Sequence, residues 1–598
     1  MKDMNNRITL SLVALLFPLL TACSFLDPLP DGTITEENYD TFPTIIQGYV
    51  FKAYHNLPAS YTSDGYMGLD ACTDDAVRTS SSDPMRQLSI GNAQMSSYPL
   101  TKIWSRDYEA INYVNLFLKD DIGLKTRYLL EPSDNAKLQR YLQGDAYGLR
   151  AWFLFDLLRT FAGKDADGNL LGVPIFTAPN DLNDFDPSKV VRASYDDCIR
   201  QILDDCDQAL NYLPEANRDF VVSPTSAMID GAARYRGLDC VSIRALKALV
   251  YLTWASPAFN PSGDRSRWES AARLAMEVIR YKLDVEGIQA NGFNPISPYF
   301  FTYHNDPEVI WTSSWQHNSY ETSFFPLGFG GNASVVPTQE LVDAFGMANG
   351  YPIRDARSHY DPASPYSGRD PRFYSVINAH GSKVLRGGDA SDVMYTFDTS
   401  EGGADAPGLM NTSTTGYYIK KYIYNLWNPY DKTIQTIGTS IFYLRWTQMC
   451  LAFAEAANHA VGPNSDAFGL SAKEVLAFVR KRTTQDQMAG VGVSGDPYLE
   501  ECAAAGESAF DALVKNEWRI ETCFEGARFF HLRRWGATAA QVSVPVHGVR
   551  ISNGTDGNVF RYEEVEKKSF PSPWLPIPYL EVRKCSQLVQ NAGWETWK

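Results

Sequence analysis

The stretch Tyr443-Leu444-Arg445-Trp446-Thr447-Gln448-Met449-Cys450-Leu451-Ala452-Phe453-Ala454-Glu455-Ala456-Ala457-Asn458 sets the reading of the whole chain. Its apolar residues recur at helical spacing and predict an amphipathic helix over Tyr443–His459. Its alanines stand where a second helix can approach closely. The same texture returns at Pro43–Tyr54, Tyr108–Asn115, Tyr141–Phe161, Ser194–Leu213, Cys240–Trp254, Trp268–Tyr281, Ser471–Thr483 and Ala509–Arg533. Neighbouring segments match as pairs: Leu246-Lys247-Ala248-Leu249-Val250-Tyr251-Leu252 is followed, after a loop, by Trp268-Glu269-Ser270-Ala271. Such an alternation predicts a mainly α fold, a tetratricopeptide-like helix-pair scaffold with long loop-rich insertions and a few short strands. The spacing of the pairs is irregular, so the repeat itself is a weak signal.

Outward from the helices the texture changes. Between Asp284 and Lys432, Gly, Pro, Ser, Asn and aromatic residues replace helical periodicity, as in Gly328-Phe329-Gly330-Gly331-Asn332 and Asp361 to Pro371. A second such region runs from Gln541 to Pro578. Both read as long loops with a few short strands, and structured insertions of this kind commonly carry function. The expected layout is a leader over residues 1–22 and one domain over 23–598. Within it the helical scaffold covers about 34–283 and 433–540, and the loop-rich insertions about 284–432 and 541–578.

Composition narrows the function. Hydrophobic residues make up 44% and charged residues 21% of the 598, which places the chain among globular proteins. The net charge of −16, from 54 basic and 70 acidic residues, argues against nucleic acid and against electrostatic docking on anionic lipid. Aromatics reach 13%, more rings than a core requires, and carbohydrate or peptide surfaces use such rings. Eight cysteines beyond Cys23 are dispersed without any Cys-x-x-Cys pair, most of them in apolar helical stretches, and read as small core residues. At the N-terminus, Lys2 and Arg7 precede an apolar run from Ile8 to Leu20, and Leu20-Thr21-Ala22-Cys23 follows. The run is too short to span a bilayer and reads as a secretory leader. A cysteine directly after small residues resembles a bacterial lipobox, which makes Cys23 the lipidation site. Stable anchoring then needs more than one acyl chain.

Four stretches together resemble the SusD/RagB family of outer-membrane lipoproteins. The opening stretch is one. Val475-Leu476-Ala477-Phe478-Val479-Arg480-Lys481-Arg482 is the second, and Val514 to Trp535, with Asn516-Glu517-Trp518-Arg519 and Phe524-Glu525-Gly526-Ala527-Arg528, is the third. Leu575-Pro576-Ile577-Pro578 with Gln590-Asn591-Ala592-Gly593-Trp594 is the fourth. The sequence departs from the family pattern at His531, where Asp is usual. Glu517, Glu521 and Glu525 recur on one helix face. Arg519, Arg528, Arg533 and Arg534 are expected to pair with them or with Glu455, so the signature reads as structural.

The resemblance implies an outer-membrane lipoprotein, facing the exterior, that binds glycans and delivers them to a SusC-like TonB-dependent transporter. It implies no cofactor, no metal and no bond chemistry. Such a site is a shallow surface of aromatic faces and polar groups. Two segments have that composition. Asp70–Tyr98 contributes Asp74, Asp75, Arg86 and Tyr98 as candidates, and Trp311–Phe329 contributes Trp315 and Tyr320. Trp311 and Trp104 read as core. One rival is a peptide-capturing receptor on the same scaffold. The other is a secreted glycoside hydrolase, which needs converging carboxylates; adjacent Asp74 and Asp75 point apart and make a poor couple. With 8 His and no His-Glu-x-x-His, Gly-x-Ser-x-Gly or phosphate loop, no catalytic motif stands out.

Overall fold

A computed structural model describes residues 42–180, 185–217, 236–287, 308–317, 320–386, 393–423, 439–490, 495–555 and 557–597. Cys23, the leader and the segment that follows it lie outside the described residues.

The scaffold is a continuous array of helices. The first six are α1 (Pro43–His55), α2 (Thr101–Leu118), α3 (Pro132–Phe161), α4 (Tyr195–Tyr212), α5 (Cys240–Ala255) and α6 (Arg265–Arg280). Each packs on the one before it. The array continues across the long insertion, because α6 packs directly on α7 (Trp446–Val461). In turn α7 packs on α8 (Ala472–Gly490) and on α10 (Glu507–Thr522), which pairs with α9 (Pro497–Ala505). The mainly α helix-pair fold read from the sequence is the fold observed.

Local chemistry sets the ends of these helices. Ser194 accepts from the Asp197 amide at the start of α4, and Asp239 forms a reciprocal capping box with Ser242 at the start of α5. Each such cap contributes about 1 kcal/mol. Pro132, at the first position of α3, extends that helix nine residues before the expected start at Tyr141. Close approach is written into α3 by two glycines one turn apart. A Cβ on Gly144 would lie 2.6 Å from Leu213, and one on Gly148 2.7 Å from Leu238.

Three elements differ from the sequence reading. Tyr443–Arg445 is not helical. It ends a strand, Thr439–Arg445, that pairs antiparallel with Val309–His317, and α7 begins only at Trp446. The helix expected over Ala509–Arg533 is two helices, α10 and α11 (Ala527–Arg534). The chain breaks between them where Phe524 and Gly526 take left-handed φ of 63° and 74°. Glycine suits this point twice over: a Cβ there would also strike the Tyr66 backbone at 2.7 Å. The Gln541–Pro578 region, expected as long loops with a few short strands, holds a long hairpin of Pro545–Gly554 and Gly557–Lys567 with one register shift at Val546–His547.

One hydrophobic core runs from Ile46 to Trp597. Trp104 and Trp311 lie in it, as expected, and all eight described cysteines are buried and unbridged.

The junction of α6, α7 and α10 carries a titratable brace. His459 of α7 packs on Trp268 of α6, with ring centroids 4.5 Å apart. Its Nδ1 lies 2.8 Å from Glu507 and its Nε2 3.0 Å from Asp511, both on α10. Burial alone would depress the imidazolium, but Asp511, Glu455 and Glu507 together raise its pKa. A raised folded-state pKa adds stability that is complete below the unfolded value of about 6.5 and is lost as pH rises through the folded value. His459→Gln should remove that component. Urea midpoints measured between about pH 6 and pH 9 should then fall less in the variant than in the wild type. Equal declines would place the pH dependence elsewhere.

Candidate functional site

The signature glutamates are taken up by the scaffold. Glu517 accepts from Arg480 at 2.5 Å and from Arg372 at 2.7 Å, and Arg372 also reaches Glu521 at 2.8 Å. Burial would raise the Glu517 carboxyl, but the two guanidiniums lower it below its ordinary value. Glu525 accepts from Arg445 and from Lys421 at 2.7 Å. These cations come from the loop-rich insertion, the strand before α7 and α8, so the ion pairs fasten the insertion to the scaffold. Of the four arginines expected to meet these acids, only Arg534 does, on Glu455. Arg519 and Arg528 turn elsewhere.

They turn to two of the predicted ligand residues. Arg519 donates to Asp75 at 2.6 Å, and Arg528 holds Asp74 at 3.0 and 2.9 Å. Burial would raise both carboxyls. The two arginines overcome it at Asp74, which stays below the usual carboxylate range, whereas fully buried Asp75 beside it is raised. The pair closes a lock between α10, the start of α11 and the loop after α1, reinforced where the Gly526 amide donates to Asp70 at 2.8 Å. Arg86 is likewise engaged, donating to Glu566 at 2.7 Å and to the Thr79 carbonyl at 2.8 Å.

Among the aromatic candidates, Tyr320 and Tyr98 are core residues. Tyr320 is 1% exposed; its hydroxyl accepts from the Tyr61 amide at 2.9 Å, and its ring stacks on Phe324. Tyr98 is 4% exposed and meets the Trp597 ring edge-on at 5.3 Å. Neither presents a free face to a sugar. Trp315 lies on the strand Val309–His317, and its side chain is outside the described residues.

The first expected segment meets a strand that lies beyond the second, Trp311–Phe329. Strand Ala76–Arg78 pairs antiparallel with Val335–Pro337, in the register Ala76↔Pro337 to Arg78↔Val335. Thr79 extends the pairing through its amide to Ser334 and through its hydroxyl to the Ala333 carbonyl. Tyr61 and Tyr320 join the loops beneath. Ser60, Thr62, Thr79, Ser80, Thr322 and Ser323, on the loops that flank this pairing, are at intermediate or full exposure.

Arg78 sits in this junction. It is 8% exposed and makes no ion pair among the described residues. Its Nη2 donates to the Thr62 carbonyl at 3.2 Å, and its Nε has no partner among the described residues. Arg78 lay within the first polar segment but was not among the single candidates. The spacing Asp74-Asp75-x-x-Arg78 suggests a local ion pair, and only the fold reveals that Arg519 and Arg528 have taken both aspartates. A guanidinium flanked by hydroxyl-bearing loops suits the vicinal hydroxyls of a sugar or a carboxylate on one.

The described residues hold one group with metal-ligand proximity, Glu455, His459 and Asp511. Its atoms are already used. Both Glu455 oxygens accept from Arg534 and from an indole, and both His459 nitrogens face carboxylates. This is a hydrogen-bonded brace.

Comparison with known proteins adds the following. The model of the SusD family matches residues 307–594. A second SusD-like family model, described as starch-binding and associating with the outer membrane, matches residues 24–234. The fold is similar to that of a SusD-like protein from Bacteroides fragilis, with a TM-score of 0.70 and 22% identity over 95% of this chain and 100% of that one. A SusD-like carbohydrate binding protein from the same species aligns with a TM-score of 0.64 and 17% identity, over 92% of this chain and 99% of that one. A SusD homolog from Bacteroides thetaiotaomicron gives 0.62 and 18%, over 93% and 97%. No curated protein matches.

Proposed function

Since the chain is a SusD-like family member, we propose that it is a glycan receptor of the outer membrane that captures oligosaccharide or polysaccharide at the junction of the Ala76–Arg78 and Val335–Pro337 strands. Arg78 carries this reading. It is the cation of that junction with no carboxylate among the described residues, flanked by loops whose hydroxyls sugars bond readily. The receptor is tethered through lipidated Cys23 and hands its ligand to a SusC-like TonB-dependent transporter, over which it works as a hinged lid. Ligand held between lid and barrel favours the closed state by its differential affinity. The receptor performs no bond chemistry.

The test is a glycan-array screen followed by calorimetry on the hits, with the mixtures checked for cleavage. Saturable binding without new reducing ends supports a receptor. Turnover abolished by one Asp or Glu substitution would make it a hydrolase, and binding of peptides in place of glycans would move it to the rival receptor class. Anchoring is tested separately. Cys23→Ala should release the protein from the membrane fraction and leave its glycan affinity unchanged. A variant that stays in the membrane fraction would remove the lipid from this account.

A further inference from the structure

The chain carries three Asn-Gly pairs, Asn291-Gly292, Asn349-Gly350 and Asn553-Gly554. The first lies outside the described residues. An asparagine in this setting can lose its side-chain amide to attack by the next backbone nitrogen. Glycine has no Cβ to hinder that approach. The fold treats the other two pairs differently. Asn349 is tied down: its Nδ2 donates to the Arg357 carbonyl at 2.9 Å, and its Oδ1 accepts from the Tyr351 amide at 3.3 Å. The Gly350 amide, which would have to attack, donates to the Met347 carbonyl at 2.9 Å. Both reacting groups of that pair are engaged.

Asn553 and Gly554 stand at the open end of the hairpin, and both are exposed. The Asn553 carboxamide makes no hydrogen bond among the described residues. The last two pairs of the hairpin are Asn553↔Asn558 and Gly554↔Gly557. Two glycines face each other in the closing pair, so no cross-strand side-chain contact holds it shut. A ribbon end of this kind frays at almost no cost in free energy. Fraying frees the Gly554 amide to turn toward the neighbouring carboxamide. Asn558, across the ribbon, is equally exposed, but Val559 follows it. The branched side chain of Val559 stiffens and crowds the corresponding approach.

We propose that Asn553 is a site of spontaneous deamidation and isoaspartate formation in the folded protein. The Gly554 nitrogen gives up its proton to water and bonds to Cγ of Asn553. The bond from Cγ to Nδ2 breaks and ammonia leaves, which closes a five-membered succinimide. Water then opens the ring at either of its two carbonyls. Opening at Cγ leaves an aspartate in the ordinary backbone. Opening at the main-chain carbonyl leaves an isoaspartate, with the chain running through the former side chain. In sum, asparagine and water become a carboxylate and ammonium. Each event adds a negative charge to a chain whose net charge is already −16. Isoaspartate also lengthens the main chain by one atom, so the Asn553↔Asn558 pair loses its register and the tip opens. None of this rests on the glycan reading.

The test is incubation of the purified full-length protein in mildly alkaline buffer, followed by peptide mapping with mass spectrometry. The peptide holding Asn553 should gain one mass unit and resolve into two products. One of them should accept a methyl group from a protein isoaspartyl methyltransferase. The Asn349 peptide should convert roughly tenfold more slowly or less, because its groups must first give up their hydrogen bonds. In urea, where the fold is gone, the two pairs should react at similar rates. Asn553→Gln, a change at an exposed position, should fold as the wild type does and lose both products. An unmodified Asn553 after the incubation would overturn the proposal, as would conversion no faster than that of Asn349. The same mass gain on the hairpin peptide of Asn553→Gln would also overturn it. A gap between the two pairs that persists in urea would move its cause from the fold to the local sequence and overturn the structural argument.

Discussion

Glu455→Ala is expected to lower the stability of the folded chain by about 3–5 kcal/mol, the cost of breaking a buried ion pair by removing one partner. Glu455 is fully buried in α7. Its Oε1 accepts from Arg534 at 2.6 Å and from the Trp535 indole at 2.8 Å; its Oε2 accepts from Arg534 at 2.6 Å and from the Trp518 indole at 2.8 Å. Truncation strands one guanidinium and two indole N–H groups at the meeting point of α7, α10 and α11. Folded proteins hold only about 5–15 kcal/mol in total, so the loss should appear as a large fall in the urea midpoint or as failure to accumulate. The double variant Glu455→Met, Arg534→Met should be markedly more stable than the single one, because it removes the orphaned charge with its partner. A single variant within about 1 kcal/mol of wild type would mean that this cluster does not organise the scaffold.

The second large effect concerns binding. Arg78→Met keeps the aliphatic stem and deletes the charge. Arg78 makes no ion pair among the described residues, so no buried carboxylate is orphaned and the urea midpoint should hold. A hydrogen bond to a charged group is worth about 1.5–3 kcal/mol, so glycan affinity should fall roughly 10- to 150-fold. Calorimetry with a glycan identified by the array measures this directly. Intact affinity in a folded Arg78→Met protein would remove Arg78 from the site. Asp75→Asn makes the contrast, since it strikes the lock to Arg519 and should cost stability before it costs ligand.

The difference between these two residues shows where sequence reading stops. Asp74, Asp75 and Arg78 stand within five positions, and their types suit a polar binding segment. The partners of the aspartates, Arg519 and Arg528, lie more than four hundred positions away, and nothing local announces them. Tyr320 was misjudged for the same reason. Tyr320 looks available in a loop-rich stretch, but its hydroxyl meets the Tyr61 amide across 259 positions and the ring is drawn inside. Helices and their pairing were legible because amphipathic spacing and caps are local. The strand ending at Arg445 was not, since Tyr443-Leu444-Arg445 in front of a helix reads as its first turn. The break at Phe524–Gly526 carried one usable signal, a glycine in the middle of a helical pattern. The hairpin after Gln541 carried another in its closing Gly554–Gly557 turn, flanked by β-branched residues.

The most direct measurement is a crystal structure of the protein with a glycan selected by the array. The account predicts sugar density at the junction of the Ala76–Arg78 and Val335–Pro337 strands, with a hydroxyl or carboxylate oxygen about 3 Å from an Arg78 nitrogen. Glycan bound elsewhere, with Arg78 untouched, would contradict it.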